Sequence, residues 1–252
     1  MKSQHIAISI AAAAALVAVL AFVKTPAPTG STTDAREDIE AIVHEYLMDN
    51  PDVLVAALTE YRKREETARQ EQISQSITRF VGSIDDNPAL PVVGSADASV
   101  TVVEFFDYRC GYCKQVFPAI KELMAEDGDI RLVYAEFPIL GDASTFASRA
   151  AVAVWLNWPD RYERFHDMLM ASRGQLDATT VMGTALELGI DLADLEAATK
   201  KPEVDAAIEA NYELAQELGI SGTPAFIIGD TLVPGAIELA TFRQHIKDYR
   251  GS

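Results

Sequence analysis

The feature that most constrains this chain is a pair of cysteines, Cys110 and Cys113, that ends one residue pattern and begins another. Before them runs SVTVVEFFDY, Ser99 to Tyr108, β-rich and almost continuously apolar, the pattern of a strand buried on both faces. After them runs KQVFPAIKELMAE, in which apolar residues recur at helical spacing. Gly111 and Tyr112 separate the two thiols, and the chain holds no other cysteine. Cys110 therefore falls at a strand-to-helix junction, its sulfur at or beside a helix N-terminus. There the unpaired backbone N–H groups and the helix dipole favour a thiolate.

Other uses of such a pair explain it less well. A structural disulfide between residues this close closes a tiny loop and restricts little unfolded-chain entropy. A zinc site needs about four ligands, and the four histidines, His5, His44, His166 and His245, are scattered without paired spacing. They read as surface or packing residues, and neither metal nor cofactor is expected. What remains is redox chemistry: the first thiolate attacks a disulfide, and the second thiol, one turn into the helix, displaces it.

The rest of the chain supplies the setting. Lys2 and His5 precede an apolar run from Ile6 to Val23, followed by Lys24 and a Pro/Thr/Gly linker to Thr33. Residues 1–27 thus read as a signal peptide or an uncleaved membrane anchor, so the remainder is exported to a compartment where disulfides are made and broken. Residues 28–90 read as linker and helices. Ile39, Ile42, Val43, Tyr46 and Leu47 form one apolar face, Asn50-Pro51-Asp52 ends that helix and caps the next, and Val53, Leu54, Ala57, Leu58 and Tyr61 continue it. EYRKREETARQEQ is then highly charged, and the sparse stripe Ile73, Ile77, Phe80 reads as a solvated connector or an arm meeting another chain. Residues 91–252 form the main domain. Beyond Gly82, Asn87, Pro88, Pro91 and Gly94, read as breakers, come the strand, the cysteines and their helix, then a second strand from Ile130 to Ile139. Helical patterns run from Asp142 to Gly219, a hairpin turns at Gly229-Asp230, and a helix closes from Leu239 to Tyr249. The net charge of −17 argues against a nucleic-acid surface.

VVEFFDYRCGYCKQVFP, the helical block and SGTPAFIIGD together resemble the DsbA-like thioredoxin-fold oxidoreductases, over about Pro91 to Tyr249. The resemblance implies an α/β, thioredoxin-like fold with a helical insertion at about 141–219, preceded by an N-terminal helical segment. It also implies roles. Cys110 matches the attacking cysteine and Cys113 the resolving one; Pro224 matches a cis-proline beside the site; Glu104 matches a buried acid that assists proton transfer. Thr223, Gly111 and Tyr112 are the substrate-contacting candidates. Tyr108 and Phe117 flank the motif and read as packing residues.

The match has a departure. Gly-Tyr stands between the cysteines where the family's strong oxidases have Pro-His, and without a nearby imidazolium the pair is expected to be less oxidising. With Thr before the proline, this is similar to isomerase and reductase members. The segment REDIEAIVHEYLMDNPDVL likewise resembles oligomerising segments of isomerase-like and copper-tolerance-associated relatives. The chain is therefore expected to exchange disulfides with cysteines of exported proteins, isomerase- or reductase-like, to meet a membrane thiol–disulfide partner, and to form a homo-oligomer through residues 34–80. A dithiol oxidase, or a chaperone module without redox chemistry, are the competing readings; a pure holdase has no need of the cysteines.

Overall fold

A computed structural model describes residues 32–251 apart from 175; the expected export segment, residues 1–27, lies outside the described residues. No described helix is long and apolar enough to cross a membrane. The chain divides into two compact units, residues 1–65 and 66–252.

The first unit holds helix α1 (Thr32–Asp49) and the opening turns of α2 (Pro51–Ser83). Asn50 breaks them apart: its N–H and its side-chain amide both bond the Tyr46 carbonyl at 2.9 Å, and Pro51, which has no N–H to satisfy, opens α2. Exposed Arg36–Glu40 and Arg64–Glu60 pairs at helical spacing add about 0.3–0.5 kcal/mol each. The stripe expected to be apolar lies in solvent: Ile39 is 62 % exposed, Ile42 66 %, Tyr46 56 %, Leu54 47 % and Leu58 55 %.

The second unit is built on a five-stranded sheet. Its strands are β1 (Val92–Gly94), β2 (Val100–Phe106), β3 (Ile130–Glu136), β4 (Ala225–Ile228) and β5 (Thr231–Pro234), in the order β1-β3-β2-β4-β5. Only β2 and β3 are parallel, and α3 (Gly111–Glu126) makes the crossover that such a pair requires. The hairpin β4–β5 turns on Gly229 (φ +61°), the first of two central residues, where glycine alone is at ease. β1 corrects the sequence reading, which took Pro91 and Gly94 only as breakers. Three residues are too short to show an alternation, and pairing of Val92 with Val133 and Gly94 with Arg131 makes them a strand.

Five helices connect β3 to β4: α4 (Asp142–Asn157), α5 (Pro159–Ala171), α6 (Ala178–Glu187), α7 (Leu192–Thr199) and α8 (Pro202–Leu218); α9 (Leu239–Arg250) ends the fold. Their starts follow local chemistry. Pro159 and Pro202 open α5 and α8, and the Asp177 and Asp191 carboxylates cap α6 and α7 by accepting from the Thr180, Ala193 and Asp194 N–H groups. Gly219, at φ +72°, terminates α8.

Side-chain alternation along β2 decides what each face of the sheet receives. Val100, Val102 and Phe106 point to the layer formed by Val116, Ile120 and Leu123 of α3, Phe242 of α9, and the small-residue face of α4 backed by Tyr162 and Phe165 of α5. Val103 and Phe105 point the other way, onto Leu214, Ala215 and Leu218 of α8 and onto Ile77 of α2. Each fully buried aromatic or branched side chain contributes about 1.5–3 kcal/mol. Glu104 has the parity of Val102 and Phe106, so it faces the helix that carries the cysteines.

Ile77 is a second correction. The Ile73, Ile77, Phe80 stripe was expected on a connector or on an arm meeting another chain, yet Ile77 is 1 % exposed within its own domain, with Ile73 and Phe80 packed around it. Three residues suffice because polar bonds assist: Ser76 Oγ and Arg79 both donate to the Glu217 carboxylate of α8, at 2.6 and 3.0 Å.

Candidate active site

Cys110 is the N-cap of α3. Its N–H donates to the Asp107 carbonyl at 3.0 Å, and its sulfur accepts from the Cys113 N–H at 3.4 Å, the bond that a helix N-terminus offers. The thiol donates to the Thr223 carbonyl at 3.3 Å. The Thr223–Pro224 peptide bond is cis, and the loop carrying it runs directly into β4, which pairs with β2 through Glu104↔Phe226 and Phe105↔Ala225. Segments more than a hundred residues apart in sequence thus meet at one sulfur.

The two thiols, both free, are driven in opposite directions. The Cys113 thiol, hydrogen-bonded to Cys110, is the chief cause that lowers the Cys110 pKa from 9.0 to about 5; burial opposes it, while the Thr223 side chain and the Cys113 and Tyr112 N–H groups reinforce it. That same bond, followed by burial, pushes the Cys113 thiol far upward. At neutral pH the arrangement holds a thiolate on Cys110 and a proton on Cys113. Cys110 is 6 % exposed and Cys113 is fully buried, so an incoming sulfur meets the thiolate first.

Glu104 is 1 % exposed, and neither carboxyl oxygen has a hydrogen-bond partner among the described residues. Burial first, then the negative charge on Cys110, raise its pKa to about 8. A neutral acid therefore lies beneath the thiolate, near enough to Cys113 that its carboxylate form also raises that thiol. Of the remaining candidates, Tyr112 is 66 % exposed. Gly111 is also exposed. Pro224 lines a groove with Thr223, Ile220, Leu232 and Pro234.

Sequence reasoning missed the layer that holds this turn in place. Asp107 is buried and accepts from the Arg109 N–H at 2.7 Å, Ser144 Oγ at 2.8 Å and the Leu140 N–H at 2.9 Å. Tyr108 is also buried. Its hydroxyl donates to Glu136 at 2.9 Å and lies 3.1 Å from His166 Nδ1, while Ser148 donates to the other Glu136 oxygen at 2.7 Å. Glu136 is raised to about 8, by burial first, with these hydroxyls opposing it. His166 is a packing residue, as expected, but an unusual one: burial lowers its pKa to about 3, and Phe106 and Tyr134 enclose the ring at 4.8 and 4.3 Å. The one legible signal was Asp107 in DYRC, an acid at the turn with its acceptor free for a nearby N–H.

The thiolate gives a direct expectation. Reaction of the reduced protein with iodoacetamide should rise through pH about 5, not near the free-thiol value of about 8.5, because only thiolate reacts. Replacing Cys113 with alanine removes the chief cause and should move the midpoint upward by at least about one unit. Rates measured from pH 3 to 10 test both, and a wild-type midpoint of 8 or above contradicts the geometry.

Comparison with known proteins agrees with this geometry. Residues 101–247 match the model of the DSBA-like thioredoxin domain, and residues 36–68 match the copper resistance protein ScsC N-terminal domain. Over 172 residues the chain is 28% identical to disulfide bond formation protein D of Bacillus subtilis (strain 168), covering 64% of this chain and 78% of that protein. It is similar to a solved thioredoxin-like oxidoreductase from Silicibacter pomeroyi DSS-3, at 41% identity and a TM-score of 0.64, over 68% of this chain and 97% of the other. Proteus mirabilis ScsC, crystallised in a transitional conformation, is 26% identical with a TM-score of 0.64, over 87% of this chain and 99% of its own.

Proposed function

We propose a direction and a setting for the activity from one premise: this chain belongs to the DSBA-like thioredoxin family. It is a thiol–disulfide oxidoreductase with a thioredoxin-like fold, a helical insertion and a preceding helical segment. The proposal is that it works outside the cytoplasm on cysteines of other proteins, rearranging or reducing wrong disulfides. Its exported setting is inferred from the apolar leader and from the compartments in which disulfides persist.

The observation that carries the reading is the thiolate of Cys110 beside a protonated Cys113. In the proposed cycle Cys110 attacks one sulfur of a substrate disulfide, a mixed disulfide forms, and the other substrate sulfur leaves as thiolate. That thiolate can attack elsewhere in the substrate, which rearranges pairs with no net redox change. Alternatively Cys113 attacks the Cys110 sulfur, and two electrons pass to the substrate as the enzyme becomes a disulfide. Cys113 must then lose its proton. Once Cys110 is bound in the mixed disulfide its negative charge no longer raises Glu104, so Glu104 gives up its own proton more readily and stands as a carboxylate able to take the Cys113 proton at the step that needs it. The groove along Thr223, Pro224 and Leu232 is assigned to the substrate's extended backbone.

Poise separates this reading from its rival. A Cys110 pKa of about 5 falls between about 7 for thioredoxin and about 3.5 for DsbA, so a potential near −180 mV is expected rather than about −120 mV. A dithiol oxidase is the second reading, favoured by the name of the Bacillus relative, disulfide bond formation protein D. Equilibration with glutathione decides: a value at or above −120 mV supports the oxidase. Tyr112 is exposed, so Tyr112→His should be tolerated and should raise the potential by about 30 mV, the equivalent of about 1.4 kcal/mol. An unchanged potential would remove the argument from the intervening residues.

The matched N-terminal segment carries an exposed apolar stripe, and its assigned use is self-association. Because Ile77 is occupied within its own domain, the available surface is narrower than the 34–80 expected from sequence; it lies within residues 36–61. A membrane thiol–disulfide partner that resets the cysteines completes the proposed cycle.

A further inference from the structure

Many of the described cations of this acidic chain are committed to its own carboxylates. Arg79 pairs with Glu217, Lys121 with Glu163 and Asp167, Arg131 with Asp85, Arg149 with Asp205, Arg243 with Glu126 and Arg250 with Asp127. Three of those not so paired share one pocket: Arg109, Lys114 and Arg173 line it together with Ser172, Gly174 and Leu176. Arg109 precedes Cys110, and Lys114 follows Cys113, each at about 3.8 Å between Cα atoms. Among the described residues no carboxylate pairs with any of the three.

Their hydrogen bonds do not discharge them. Lys114 Nζ donates to the Ser172 and Leu169 carbonyls, at 2.6 and 3.2 Å, at the end of α5, and Arg109 donates to the Leu140 carbonyl. These acceptors are neutral. Lys114 is half-buried, and burial alone lowers its pKa, with no opposite charge to hold it up. Nor do the cations serve the thiolate: the groups that stabilise Cys110 are Cys113, Thr223 and the Tyr112 N–H. A net charge of −17 makes a local cluster of positive charge beside the reacting sulfur stand out further.

We propose that this pocket binds an Asp or Glu side chain carried by the substrate peptide within a few residues of its reacting cysteine. The enzyme then selects acidic cysteine segments. The inference rests on the disulfide-exchange reading above. Arginine presents parallel N–H donors that match a carboxylate, and Arg173, on the loop after α5, is exposed and able to close on it. Attraction between the pocket and the peptide acts on encounter and on the lifetime of the non-covalent complex.

The test uses three peptides with one cysteine each, flanked by two Glu, two Gln or two Lys residues, as mixed disulfides with uncharged thiopyridine. The Cys110 thiolate attacks the peptide sulfur, thiopyridine leaves, and Cys113 then displaces the peptide thiol as the enzyme becomes oxidised, so thiopyridine release reports the rate. At low salt the Glu peptide should react about five- to tenfold faster than the Gln peptide and the Lys peptide slower still, as expected for about 1 kcal/mol per well-placed charge. The preference should shrink to about twofold at 0.5 M NaCl. Arg173→Glu should abolish or invert it while leaving the iodoacetamide profile of Cys110 unchanged, which shows an intact fold and thiolate. Equal rates for all three peptides, or a preference that survives both salt and Arg173→Glu, overturn the inference. No reaction with the Gln peptide would instead sink the exchange reading itself.

Discussion

Replacing Cys110 with serine is expected to abolish disulfide exchange, by at least about 10⁴-fold, whereas Cys113→Ser should keep attack and lose release. The difference follows from the environment of each sulfur. Cys110 alone is a thiolate at neutral pH and alone is reachable from the surface. A serine hydroxyl there has no comparable stabilised anion, because its pKa lies far above that of a thiol. At position 113 a serine can still donate a hydrogen bond to the Cys110 sulfur, preserving the chief cause of its low pKa. Attack therefore survives, but no second sulfur can displace the substrate. Cys113→Ser should accumulate covalent complexes with substrate proteins, resolved by added dithiothreitol and identified by mass spectrometry. If Cys110→Ser traps partners and Cys113→Ser does not, the two roles are the reverse of those assigned.

The chemistry of this pair was legible because it is local. The strand, the thiols and the helix are consecutive, and so the thiolate follows from a helix N-terminus that any reader of the sequence can place. Glu104 was reached only through the family resemblance, because the strand pattern alone left a solvated edge position open; its burial, unpartnered carboxyl and raised pKa depend on neighbours from other strands. What escaped the reading depends on long-range meetings. Glu136 and His166 join Tyr108 across 28 and 58 residues, and each residue type in isolation suggests only a surface charge or a packing ring. β1 escaped because three residues carry no period, and Ile77 because a sparse stripe on a charged helix reads as solvated until α8 is seen to receive it. Lys114 was not singled out in the sequence; its interest lies in its bonds to two neutral carbonyls, with no carboxylate paired to it among the described residues.

The second large effect concerns the first unit. Its stripe leaves Ile39, Ile42, Tyr46, Leu54, Leu58 and Tyr61 at about half to two-thirds exposure, more contiguous apolar surface than a chain keeps in water without a use. Burying such side chains gains about 1.5–3 kcal/mol each, so a few of them suffice to hold copies together in a closed symmetric assembly. An assembly brings several cysteine pairs to one substrate, and the effective concentration of thiol then reaches the millimolar range. Isomerisation gains most, because it needs repeated attack on one molecule; single-step oxidation gains little. Deleting residues 32–65 leaves Ile73, Ile77 and Phe80 on their own domain, which a deletion to residue 80 would damage. The shortened protein is expected to be monomeric by light scattering, to alkylate at Cys110 as before, to lose at least about tenfold in isomerase rate and to oxidise dithiols as fast or faster. Ile42→Glu with Leu54→Glu in the full chain should reproduce this without removing a residue, since two charges in the stripe cannot be buried unpaired. A full-length chain that is already monomeric at micromolar concentration ends the argument, and the stripe then needs a different partner.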